Sequence, residues 1–207
     1  MAATKQQSSF HFVETADEGT SHVLVVGDVG TSTGEQHVTI YSGTKKDGHL
    51  TLILSGKVAY VEGDVLGLEG FTGLSAKLSS QFAGKWISVP SSNQSFGTIA
   101  GTLAVGTAAA QLVKLPGTLT RGATSTQLGH AAVAVKAAQS TSSGSLTLTI
   151  YVATTGQALP ILVAGTTTAT GSAPRSISAK FSGWGEAVNV TAPSTSVPIA
   201  AIQAAAG

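Results

Sequence analysis

The chain contains no cysteine among its 207 residues. That excludes disulfides, thiolate metal sites and a cysteine nucleophile, and it removes the acceptor for an N-terminal lipid. Charge is scarce too. Asp, Glu, Lys and Arg make up 10% of the residues, against about one quarter in an average soluble protein. With a net charge of +1 and scattered basic residues, the chain offers no electrostatic footprint for nucleic acid or an anionic membrane surface. Long apolar runs are missing as well. A spanning helix needs about 20 apolar residues, and residues 103–115 are interrupted by Gly106, Gln111 and Lys114. Residues 1–7 lack the apolar core of a signal peptide, so a soluble chain without a leader as it stands is expected.

What is present is Ser, Thr, Gly and Ala, together with 42% hydrophobic residues, enough for a sizeable core. This composition suits a β-rich extracytoplasmic protein. One stretch, residues 64–115, has helical periodicity. Leu74, Leu78 and Phe82 recur at four-residue spacing, with Lys77 and Gln81 between them. Thr72 is the expected N-cap of that helix and Gly84 its terminating glycine. A shorter helix is expected from Asp64 through Leu66, Leu68 and Phe71. After a brief strand at residues 85–89, Phe96, Ile99 and Leu103 form one helical set and Ala108, Leu112 and Leu115 another, with Pro116 and Gly117 closing the segment.

The flanking blocks alternate as strands. In block 9–62, Phe10 to Thr15 alternates, Asp17-Glu18-Gly19 turns the chain into residues 22–26, and His37 to Tyr41 forms a further strand. Asp47-Gly48 and Ser55-Gly56 read as hairpin turns. The second of these gathers Leu50, Leu52, Leu54, Ala59 and Val61 on one face, the candidate side for the helices. Carrying the same arithmetic across Asp47-Gly48 adds Tyr41, Thr39 and His37 to that face. Block 117–191 predicts strands at 119–124, 130–138, 145–154, 159–166, 175–182 and 188–191, with Leu146, Leu148, Ile150 and Val152 facing one way. Hairpin-sized spacings imply an antiparallel meander. The tail, residues 192–207, is expected to be coil or one helical turn.

The search for reactive chemistry returns little. Gly30-Thr31-Ser32-Thr33-Gly34 matches a G-x-S-x-G nucleophile elbow, but a β-branched alternating run follows it where the elbow needs a helix. A hairpin loop explains it better. His11, His22, His37, His49 and His130 fall singly on different strands, and no three of them are expected to converge on zinc. Gly56-Lys57 and Gly84-Lys85 lack the upstream glycine of a phosphate loop. Glu62, Asp64 and Glu69 are explained by capping and solvent-facing roles. Trp86 and Trp184 are read as anchors of the core or the sheet edge, with Trp86 a candidate for a cavity rim.

Three runs carry a family resemblance: residues 84–90 (GKWISVP), 151–160 (YVATTGQALP) and 181–186 (FSGWGE). With them the chain resembles actinobacterial LppX/LprG-type lipoproteins of the LolA/LolB-like fold group, from about Phe10 to Ile199. The resemblance implies an α+β fold: a strongly curved, unclosed antiparallel sheet, a half-barrel, with helices in its concave face and a hydrophobic cavity between the two. The chain departs from the lipoprotein pattern in lacking the lipidated cysteine.

A single domain over residues 1–207 is therefore expected, with β block 9–62, helical segment 64–115, β block 117–191 and tail 192–207. The expected function is non-enzymatic, extracytoplasmic binding or transport of a lipid or other acylated apolar ligand, without a cofactor or metal. A membrane or envelope protein is the expected further partner, and nucleic acid is not. From parity and periodicity the candidate lining is Leu52, Leu54, Leu66, Phe71, Leu74, Leu78, Phe82, Ile99, Leu103, Leu148 and Ile150. The alternative is a sensor or adaptor that binds another protein and fills its concavity with its own side chains.

Overall fold

The computed structural model describes residues 2–113, 115, 117–169 and 171–206. Lys114, and Pro116 as the expected end of the helical stretch, lie outside them, as do residues 1, 170 and 207. Helix α1 (Ala2–Lys5) leads into β1 (Phe10–Glu18), β2 (Ser21–Val29), β3 (Thr33–Ser42), β4 (Lys45–Ser55) and β5 (Val58–Gly63). Helices α2 (Val65–Thr72) and α3 (Ala76–Phe82) precede β6 (Ile87–Pro90), and α4 (Phe96–Leu103) and α5 (Val105–Val113) follow it. The second block forms β7 (Thr118–Gln127), β8 (His130–Thr141), β9 (Gly144–Ala153), β10 (Pro160–Ala169) and β11 (Arg175–Ser182). The chain ends in β12 (Val197–Pro198) and α6 (Ile199–Ala206).

All twelve strands join one curved, unclosed sheet in the order β12-β6-β5-β4-β3-β2-β1-β11-β10-β9-β8-β7. The two blocks meet in the middle, where β1 pairs antiparallel with β11. Among the described strands, only the short β12 runs parallel to its neighbour, β6. This order decides where the helices go. β6 lies near one edge and β7 at the other, so the chain between them must cross the sheet. It does so on the concave face: α4 packs over β2 to β5, and the α4–α5 junction is tied down where the Val105 N–H donates to the Gly30 carbonyl at 2.9 Å. The approach is close because Gly34 has no side chain, and a Cβ there would sit 2.6 Å from the Leu103 carbonyl oxygen.

The concave face is set by register. Leu52 lies opposite Val61 and Gln36, and Leu54 opposite Ala59 and Gly34. The expected face of Leu50, Leu52, Leu54, Ala59 and Val61 holds, although a two-residue loop at Ser55-Gly56 would set Leu54 opposite Lys57 and the structure sets it opposite Ala59. A slip of two residues preserves parity. The β3–β4 connection differs. Its turn is Gly43-Thr44, with Gly43 at φ 61°, and Asp47-Gly48 lies inside β4 at a bulge opposite Ile40 and Tyr41. The Ser42 hydroxyl, and then Lys45, hold the Asp47 carboxyl below its usual range and satisfy it within the bulge. Because of that bulge, Gln36, Val38 and Ile40 face the helices, in place of His37, Thr39 and Tyr41.

Three other expectations are corrected. Ser75 caps α3, its hydroxyl accepting from Leu78 N–H, whereas the Thr72 hydroxyl donates back to the Leu68 carbonyl at the end of α2. Residues 188–191 form no strand and run across the sheet end, with Val188 near Gly30. The tail forms the eight-residue helix α6, held by the fully buried Ile202. Asp64 caps α2 as expected, accepting from Gly67 N–H at 2.8 Å.

Candidate functional site

The concave side holds two apolar clusters. Under α2, α3, α4 and α6, the side chains of Leu50, Leu52, Leu54, Val61, Leu68, Leu78, Phe82, Ile87, Ile99, Leu103 and Ile202 pack against one another and are buried. Over the middle of the sheet, Phe10, Val105, Ile150, Val163, Ala179 and Phe181 form a second cluster, edged by Phe12, Ala108, Leu112 and Leu148. The second cluster does not fill its space.

A cavity of about 370 Å³ lies there, between α4–α5 and the strands β1, β11, β10 and β9. Its floor is a cross-strand row, Val25–Glu14–Ala179–Val163–Ile150, fixed by register. The roof is Ala108 and Leu112 of α5 with Thr102 of α4. Space remains because facing positions are small, Ala108 above and Ala179 below. At one end Phe10 lies against Trp184 and Phe181 with ring centroids 4.8 and 5.8 Å apart, and the Trp184 indole N–H donates to the Pro160 carbonyl at 3.1 Å. At the other end, where β1 reaches its turn and β11 begins, the strands become exposed.

The candidate lining residues are divided by this arrangement. Leu148 and Ile150 line the cavity. Leu52, Leu54, Leu78, Phe82, Ile99 and Leu103 are buried in the first cluster, and Leu74 packs against it. Phe71, Leu74 and Ile99 also border a smaller space of about 260 Å³ beneath α6. Leu66 is 42% exposed and Phe71 37% exposed. The lining residues that sequence reasoning passed over are mainly Phe10, Phe12, Glu14, Val25, Ala179 and Phe181. Their signal was the alternation of residues 10–15, which puts Phe10, Phe12 and Glu14 on one face.

Among the described residues, Glu14 is the only ionisable one in the lining. Burial pushes its carboxyl above the usual range, with the Arg175 guanidinium pulling the other way.

The reactive-looking features lie elsewhere. Ser32 sits in the bend between β2 and β3, where its carbonyl accepts from Gly56 N–H at 2.9 Å; a strand follows it, so no elbow forms. The histidines of the first block each meet a carboxylate: His11 with Asp28 at 3.0 Å, His22 with Asp17 at 2.5 Å, His37 with Glu35 at 3.1 Å and His49 with Asp64 at 3.0 Å. Among the described residues, no three His, Asp or Glu side chains are grouped to hold a metal ion. No helix among them is long and apolar enough to cross a membrane.

No family model and no curated protein matches the chain. Among solved structures, LprF from Mycobacterium bovis superposes with a TM-score of 0.55 at 16% identity, covering 94% of this chain and 93% of that one. The chain has the fold of LprF. The resemblance to LppX/LprG-type proteins read from residues 84–90, 151–160 and 181–186 is thus met at the level of the fold. The match runs over nearly the whole length of both chains, so the LprF fold takes in both β blocks and the helices between them.

Proposed function

We propose that the protein binds a lipid or other acylated apolar molecule in the cavity between α5 and the middle of the sheet, outside the cytoplasm, and carries out no reaction on it. The observation that supports this most is the cavity itself: about 370 Å³, walled mainly by aliphatic and aromatic side chains, with packed aromatic rings at one end and exposed strands at the other. That volume is within the range of about 300–1,000 Å³ typical of ligand sites. Binding would be driven by burial of acyl surface, at about 25 cal/mol per Å². The fold shared with LprF, taken with the resemblance of residues 84–90, 151–160 and 181–186 to LppX/LprG-type lipoproteins, supports the extracytoplasmic setting.

In this reading Leu148 and Ile150 contact the ligand, whereas Leu52, Leu54, Leu78, Phe82, Ile99 and Leu103 hold the fold. Leu148→Trp should fill the cavity and abolish lipid uptake with the protein still folded. Native mass spectrometry of wild type and variant purified from the same host tests this. A wild type that carries no lipid, or a variant that carries as much as wild type, would count against the site.

The first cluster favours a second reading. Over β4 to β6 the concavity is filled by the protein's own side chains, as a protein-binding sensor or adaptor would have it. Wild type that arrives free of lipid but retains a stoichiometric envelope protein would favour that role.

A further inference from the structure

The cavity wall has a polar point at one place along its length. β1 presents Phe10, Phe12 and Glu14 in succession to the concave side, running from the aromatic end toward the exposed one. An amphiphile entering from the exposed end would place its apolar tail against Phe10, Phe12 and Phe181 and leave its polar end level with Glu14. The other polar lining groups, Gln36 and Thr102, carry no charge.

We propose that Glu14 reads the polar end of the bound molecule, so that the cavity takes an uncharged, hydroxyl-bearing acyl compound of the monoacylglycerol type in preference to a fatty-acid anion. This rests on the cavity reading above. No cationic side chain among the described residues lines the cavity, so an acyl carboxylate placed there would meet the Glu14 carboxyl directly and share with it the nearest described cation, Arg175, which stands outside the lining. A hydroxyl, by contrast, can donate to the Glu14 carboxyl in either of its protonation states.

The same geometry makes binding pH-dependent. A neutral ligand covering Glu14 removes what solvent it retains, and the neutral acid can both donate to and accept from the ligand's hydroxyl where the carboxylate can only accept, so binding takes up a proton and strengthens as pH falls. Among the described residues, the charged groups that face Glu14 are Glu18 further along β1 and Arg175 on β11. Opposite it β2 presents Val25, and α4 and α5 present Thr102, Ala108 and Leu112.

The test is calorimetric titration of the full chain with monolauroylglycerol and with laurate at pH 7.5, and with monolauroylglycerol alone from pH 5 to 8. Wild type should bind monolauroylglycerol at least about ten-fold more tightly than laurate, and more tightly at the lower pH. In Glu14→Gln, monolauroylglycerol should still bind, which shows the cavity intact, while the preference over laurate narrows and the pH slope disappears. Laurate binding as tightly as monolauroylglycerol to wild type, or a ratio and slope unchanged in Glu14→Gln, would overturn the inference and leave the lipid cavity standing. Binding of neither compound to wild type would defeat both.

Discussion

At the residue scale, Glu14 sets a local conflict between folding and charge. Its neighbours on the cavity floor are Val25 and Ala179, and burial raises its carboxyl above the usual range in the folded chain. The folded state therefore holds the proton more tightly than the unfolded state. The stability this contributes is complete below the ordinary glutamate pKa of about 4.3 and is lost as pH rises through the raised native value. Glu14→Gln keeps the neutral form throughout. Its melting temperature should match wild type near pH 4 and exceed it at pH 7; an equal margin at both pH values would show that burial does not penalise the charge. The residue was legible in part. Alternation along residues 10–15 places Glu14 on the face of Phe10 and Phe12, but alternation cannot say that a helix roof with Ala108 at its centre would leave that face a cavity.

At the element scale, two glycines in α2 separate packing from propensity. A Cβ on Gly67 would lie 2.0 Å from the His49 carbonyl oxygen, a backbone atom that also accepts from Asp64 N–H at 3.2 Å and cannot easily give way. Gly70 has nothing within 4 Å. Gly67→Ala should lower stability by about 1–3 kcal/mol as α2 is pushed off β4, whereas Gly70→Ala should raise it by about 0.5–1 kcal/mol through helix propensity alone. Urea midpoints of the two variants, moving in opposite directions at constant slope, would check this.

Sequence spacing cannot tell these two glycines apart. The difference is tertiary. The β3–β4 hairpin teaches the same lesson: Asp47-Gly48 has the chemistry of a tight turn, yet Gly43 takes the turn and Asp47 goes into a bulge stabilised by Ser42 and Lys45. One residue of difference reversed the face of β3. The β4–β5 and β9 faces were legible because their leucines, isoleucines and valines alternate without interruption, so a two-residue error in the turn left parity intact.

At the scale of the whole molecule, the helices divide the concavity into a filled half and an open one. The filled half, over β4 to β6, is capped by α6 and contains the fully buried Leu52, Leu68, Leu103 and Ile202. Truncating Leu52 to Ala there should cost about 2–5 kcal/mol without altering ligand preference. The open half runs from β1 through β11 to the edge strand β7, where most side chains are exposed and Leu119 is 53% exposed. Local opening should therefore be cheapest at β7 and β8 and most costly in β3 to β5, where apolar contacts are densest. A ligand seated under α5 adds contacts only to the open half. Hydrogen exchange followed by mass spectrometry should then show slowing in β9, β10, β11 and α5 on addition of monolauroylglycerol, with β4 to β6 unchanged. Uniform slowing across the sheet would mean that the two halves act as one cooperative unit, and slowing confined to α6 and β6 would move the ligand to the smaller space bordered by Phe71, Leu74 and Ile99.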